Sequence, residues 1–173
     1  HLKRFQFVRG SWQKSLKMLE ADPIFKEAEV ASLADDSENE AFDERARNIF
    51  NNLSSGHKIV LLTMTRLVET VEERTLVLLD EPEVHLHPPL LSAFVRALSD
   101  LLIYQNGVAI IATHSPIILQ EVPKSCAWKL RRTGSETMAE RPEIETFGEN
   151  VGVLTREVFG LEVTQYKYKK LLE

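Results

Sequence analysis

A chain of 173 residues with 43% apolar side chains is long enough to bury one core and too hydrophobic for a disordered segment. Its formal net charge of −5 excludes a global basic field for holding nucleic acid, so any such contact needs a local patch. The one cysteine, Cys126, excludes an intrachain disulfide and a cysteine metal cluster; no apolar run is long enough to span a membrane and no signal peptide opens the sequence, so a soluble cytoplasmic protein with no membrane partner is expected.

The first residue is His1 rather than Met, which reads as a piece of a longer protein or a trimmed chain. Residues 1–9 alternate imperfectly and read as a weak strand. Gly10-Ser11 reads as a break with an N-cap, after which Trp12, Leu16 and Leu19 share a helical face. Asp22-Pro23 repeats the device, a cap followed by proline at the first helical position. Ile24, Ala28 and Ala31 follow at helical spacing. Residues 34–44 are acidic and nearly free of apolar side chains, which predicts a solvated surface loop. A short helix over 43–51 leads to Leu53-Ser54-Ser55-Gly56-His57-Lys58.

Lys58 to Arg74 holds neither glycine nor proline, and Ile59, Leu62, Thr63, Arg66, Leu67 and Thr70 keep a period near 3.6. Leu76 to Leu79 is an unbroken apolar run, which predicts a strand buried on both faces. It ends in two carboxylates, Asp80 and Glu81, and Pro82 stops it. Pro88-Pro89 opens a helix with Leu91, Phe94, Val95, Leu98, Leu101 and Leu102 on its inner face, and Asn106-Gly107 ends that helix. Val108 to Ala112 is a second apolar run. Strand, helix and strand make a βαβ unit with a parallel pair, and so an α/β fold with parallel strands flanked by helices. Thr113-His114-Ser115-Pro116 closes the second strand and caps a helix over 117–122. A hairpin around Gly134 and a last helix over 148–159 follow. The tail Tyr166-Lys167-Tyr168-Lys169-Lys170 is basic and aromatic, a pattern that suits either nucleic-acid stacking or a solvated tail.

In an open α/β sheet, ligands gather beyond the carboxyl ends of the strands. Two acids there suit a hydrated magnesium ion carrying nucleotide phosphates, or else they only cap the next helix. Leu53-Ser54-Ser55-Gly56-His57, Leu76-Val77-Leu78-Leu79-Asp80-Glu81-Pro82 and Thr113-His114-Ser115 together resemble, in order, the signature motif, the Walker B motif with its catalytic glutamate and the switch histidine of ABC-type ATPase heads. Each is weak alone; three in order, each at a strand end or helix start, are specific. Glu81-Pro82-Glu83-Val84-His85-Leu86-His87-Pro88 is similar to the DNA-linked RecF, SMC-like and OLD branch. The run from Leu53 to Leu161, notably residues 145–152 and 155–161, resembles PtuA-type ATPases of Septu and retron anti-phage systems, which work beside an HNH nuclease.

That resemblance implies ATP and Mg2+ as cofactors. Asp80 would hold the metal, Glu81 would polarise the attacking water, and His114 would touch the γ-phosphate. Ser54, Ser55 and Gly56 would meet the phosphate of a nucleotide held by the facing subunit, at a helix N-terminus. Ser55 and His57 depart from the common Leu-Ser-Gly-Gly-Gln pattern. Alone, Ser-Gly is an ordinary helix start and His114 an ordinary structural histidine. Glu83, His85 and His87 have metal-like spacing, against which the resemblance sets a loop along a dimer interface. Lys129, Arg131 and Arg132 alternate on a strand and read as a solvated face.

No glycine of the chain sits in a P-loop pattern. The expected whole is therefore the C-terminal part of an ABC-type head whose P-loop lobe lies elsewhere. Residues 1–50 form an unassigned helical segment with an acidic loop, and 51–173 form the ATPase portion. The expected function is an ATP-hydrolysing subunit of an anti-phage complex, at least a dimer, with an HNH-type nuclease as partner. A RecF- or SMC-like DNA-repair head and a nucleotide-stabilised scaffold are the rival readings.

Overall fold

The computed structural model describes residues 2–35 and 42–160. Most of the acidic loop and the whole basic tail Tyr166–Lys170 lie outside them. The described residues fall into two compact units, one ending at Thr113 and one beginning at His114.

The first unit runs α1 Leu2–Leu19, α2 Pro23–Glu27, α3 Ser32–Asp35, α4 Phe42–Asn52, α5 Ser55–Thr70, β1 Leu76–Asp80, α6 Pro88–Tyr104 and β2 Val108–Ala112. The start of the chain is thus helical, not a strand, and α1 passes through Gly10 without a break. Glycine there costs about 1 kcal/mol relative to alanine. Packing outweighs that cost: Leu16 and Leu19 are fully buried, and α1 lies against α5 and α6. Burying two leucines stabilises by about 3–6 kcal/mol. Trp12 Nε1 also donates to Thr65 Oγ1 at 3.1 Å, and Lys14 pairs with Asp100 at 2.7 Å.

Helix α5 keeps the expected period but not the expected phase. Its buried residues are Gly56, His57, Val60, Leu61, Met64 and Val68, while Ile59 and Leu62 are exposed. It ends at Thr70, where Val71 turns to extended backbone. Arg74 takes a φ of 61°, and its N–H donates to the Gln105 carbonyl at 3.0 Å, which starts β1 beside the end of α6.

Helix α6 is the centre of this unit. All six residues expected on its inner face are buried. Strands β1 and β2 are parallel neighbours, in register from Leu76 opposite Val108 to Asp80 opposite Ala112. The expectation of a strand buried on both faces does not hold among the described residues. Val77 is 8% exposed, but Leu78 is 68% and Ile110 59% exposed. One face of the pair meets helices; the other presents Leu76, Leu78, Val108 and Ile110 uncovered by the described residues.

The second unit contains α7 Pro116–Gln120, a 3₁₀ turn Lys124–Cys126, the antiparallel hairpin β3 Lys129–Thr133 and β4 Glu136–Glu140, and α8 Val151–Glu157. Leu119, Ala127, Leu154 and Val158 form its core, with Ile144 and Phe159 against them. Lys129 and Arg131 both pair with Glu140, at 3.2 and 3.0 Å. The Glu145 carboxylate accepts from the backbone N–H groups of Lys124, Thr146 and Phe147 at 2.9–3.2 Å. Those donors, Lys124 first, hold its pKa below the ordinary glutamate value.

Candidate functional site

The β1 end lies at the carboxyl edge of the parallel pair. Asp80 is the last paired residue, opposite Ala112, and its side chain is exposed. The next residue, Glu81, leaves the strand with a φ of 44°, a left-handed conformation that a non-glycine residue rarely adopts. Its N–H still reaches across to the Ala112 carbonyl at 2.8 Å. That bond fixes the turn at the end of the strand. Both acids are exposed, so neither needs a counter-ion to be tolerated.

The following loop is held by local bonds, Val84 N–H to Glu81 O and Leu86 N–H to Glu83 O. Thr113 Oγ1 donates to Glu83 Oε1 at 2.8 Å, tying this loop to the end of β2. His85 also has a left-handed φ, 68°. Its carbonyl packs on the start of α5: a Cβ at Gly56 would stand 2.8 Å from His85 O. Gly56 is buried there, so glycine is required by close packing of the two loops.

Ser54 is the N-cap of α5, and Ser54 and Ser55 are exposed. The Ser54 hydroxyl lies 2.6 Å from His57 Nδ1. On the other edge of that ring, His57 Nε2 lies 2.9 Å from Asp22 Oδ1. His57 is 1% exposed and Asp22 fully buried. Asp22 is the N-cap of α2, and its Oδ1 also accepts from Ile24 and Phe25 N–H at 3.0 and 3.2 Å. Burying a carboxylate costs several kcal/mol unless donors converge on it. Here all three converge on one oxygen; Oδ2 has no hydrogen bond among the described residues. His87 Nε2 stands 3.5 Å from Oδ2. His87 caps α6, its Nδ1 accepting from Leu90 N–H at 3.3 Å.

The metal-like spacing of Glu83, His85 and His87 does not become a cluster: Glu83 bonds Thr113, His87 turns to Asp22, and His85 is exposed. Among the described residues, Asp22, His57 and His87 instead bring ligand atoms within 4.8 Å of one another. A metal needs a lone pair on each facing nitrogen. In the observed hydrogen-bond arrangement a carboxylate only accepts, so His57 Nε2 carries a hydrogen. His87 Nδ1 accepts an amide, so the hydrogen of its neutral ring is on Nε2.

The structure therefore brings Asp80 and Glu81 together at one strand end, and packs Gly56 against the loop that follows. His114 opens the second unit, with an exposed side chain. Sequence reasoning missed the link from Ser54 through His57 to Asp22. The aspartate was legible as a cap, and His57 as a departure from the common signature. Their pairing across 35 positions leaves no mark in one sequence.

No helix among the described residues is long and apolar enough to cross a membrane. A family model described as "AAA domain, putative AbiEii toxin, Type IV TA system" matches residues 7–120, more than half of the chain. Protein ea59 of Escherichia phage lambda is 53% identical over 180 residues. That alignment covers 95% of this chain and 34% of the phage protein, so the chain spans about a third of the length of that relative. With parallel strands flanked by helices and a match that takes in the Ser54–Gly56 start of α5 and the β1 end, the chain belongs to this AAA-domain family.

Proposed function

We propose that this chain is the C-terminal portion of an ATP-binding and hydrolysing head. The observation that carries the reading is the β1 end: an exposed aspartate closing a parallel strand, followed by a glutamate held left-handed by its bond to Ala112. A hard cation such as Mg2+ takes oxygen ligands, usually one or two carboxylates, keeps several waters and neutralises phosphate charge when bound. Asp80 fits that donor set. Glu81, the next residue, exposed and in a different backbone conformation, suits the role of general base for water. Ser54, exposed at the first turn of α5, supplies a hydroxyl and free amides to a phosphate of the facing subunit. His114 is the γ-phosphate contact in this reading.

The chain has no P-loop pattern, so the nucleotide cradle belongs to another part of the full-length protein. The uncovered face of β1 and β2 supports this. Four large apolar side chains on one face, two from each strand, suit a sheet that continues, or is covered, in the whole protein. The finer reading, a PtuA-type ATPase in an anti-phage complex that gates an HNH-type nuclease, rests on the residues at 145–152 and 155–161. It predicts a homodimer with nucleotide at the interface. ATP turnover by the full-length protein, lost in Glu81→Gln with nucleotide binding kept, tests the central assignment.

A further inference from the structure

We infer that Asp22 and His57 are positioning residues that set the direction of the Ser54 hydroxyl proton, and so decide whether Ser54 can donate to an incoming phosphate. The inference rests on the proposed role of Ser54 as the phosphate contact of the facing subunit.

The geometry leaves two arrangements. In both, His57 Nε2–H donates to Asp22 Oδ1 at 2.9 Å. When Nδ1 is bare, it accepts the Ser54 O–H across 2.6 Å. The serine oxygen also accepts the His57 N–H as the cap of α5, so it turns its remaining lone pair outward, which repels a phosphate oxygen. When Nδ1 carries a proton, the ring donates to Ser54 Oγ, and the hydroxyl proton is released toward solvent as a donor. An anion at Ser54 therefore favours the second arrangement, which holds one more proton on the ring, taken from solvent. Besides Ser54, three groups face the ring. Asp22 from the α2 cap is fully buried, and its Oδ2 has no hydrogen bond among the described residues. His87 from the α6 cap stands tilted beside the ring at 5.2 Å between centroids. Phe25 closes a third side edge-on at 5.0 Å. A cap for α2 alone would not need a histidine on the same oxygen.

Asp22→Asn separates this role from a structural one. Asparagine caps a helix as well as aspartate, but carries no charge for the ring. The measurement is nucleotide-driven dimerisation of the full-length protein with ATP and magnesium, by sizing chromatography or calorimetry. Asp22→Asn should weaken it about tenfold, the scale of one hydrogen bond to a charged group. The same change made in Ser54→Ala should cost nothing further, because the serine it acts through is gone. Heats compared in buffers of different ionisation enthalpy should show proton uptake on dimerisation in the parent and none in Asp22→Asn. If Asp22→Asn weakens assembly equally with and without Ser54, it is only structural and the inference fails. If Ser54→Ala weakens assembly and Asp22→Asn does not, the relay alone fails. If Ser54→Ala has no effect, the phosphate role of Ser54 fails and the relay falls with it. Should Asp22→Asn not fold, nitrogen NMR of His57 in this chain decides. A hydrogen on Nε2 is required; a bare Nε2, or its occupation by added zinc, overturns the inference.

Discussion

The His85 carbonyl stands 2.8 Å from the place a Cβ on Gly56 would occupy. This one approach binds the start of α5 to the loop that carries Glu81 and Glu83. Gly56→Ala must push His85, whose backbone is already left-handed, or tilt α5. Overpacking of this kind costs about 1–3 kcal/mol. Thermal unfolding of this chain should show a drop in midpoint, whereas Gly10→Ala, with nothing within 4 Å of its Cβ, should leave it level or raise it. Equal midpoints for parent and Gly56→Ala would contradict the packing.

A second prediction contrasts the two sides of the βαβ unit. Leu98, 2% exposed in α6, should cost about 2–5 kcal/mol on change to alanine. Leu78→Lys and Ile110→Lys, on the uncovered face, should each cost about 1 kcal/mol or less in this chain and reduce its binding of an apolar dye. A collapse of stability in either lysine variant would mean that this face is covered by the chain itself.

How much of this was legible from the sequence depended on where apolar residues stood alone. The strands β1 and β2 are short apolar runs fenced by polar residues, so their ends were readable, and with them Asp80 and Glu81. Helix α5 was readable as a helix but not in phase, because Ile59 to Leu62 are four consecutive apolar residues and either side could face inward. Helix α1 was hidden because its first residues also alternate, and only the burial of Leu16 and Leu19 against α5 and α6 decides the matter. The double burial expected of β1 needs a cover on both faces, and among the described residues the β1–β2 pair is covered on one. The Asp22–His57–Ser54 chain was not readable at all, since it depends on the docking of the α2 cap against α5.

Glu145 gives a pH dependence. Its carboxylate pKa lies below the ordinary value of 4.5, first because of the Lys124 amide. A group with a lowered folded pKa stabilises fully above its unfolded value and loses that contribution as pH falls through the folded one. Glu145→Gln should therefore narrow the difference in stability between neutral pH and pH about 3. Acid titration of unfolding checks this, and an unchanged slope would contradict it.

This chain alone should not turn over ATP, since it has no P-loop pattern. Purified chain, incubated with ATP and magnesium, should release no phosphate above the Glu81→Gln control. Turnover that Glu81→Gln abolishes would show that no separate lobe is required.

The most direct test of the whole account is Glu81→Gln in the full-length protein. Glutamine keeps the size of the side chain but cannot take a proton from water. Hydrolysis should fall by roughly two or more orders of magnitude, the scale of a lost general base, while nucleotide stays bound and the dimer is trapped on sizing chromatography with ATP and magnesium. A variant that loses nucleotide and remains dispersed would make Glu81 a structural acid and contradict the assignment of roles at this strand end.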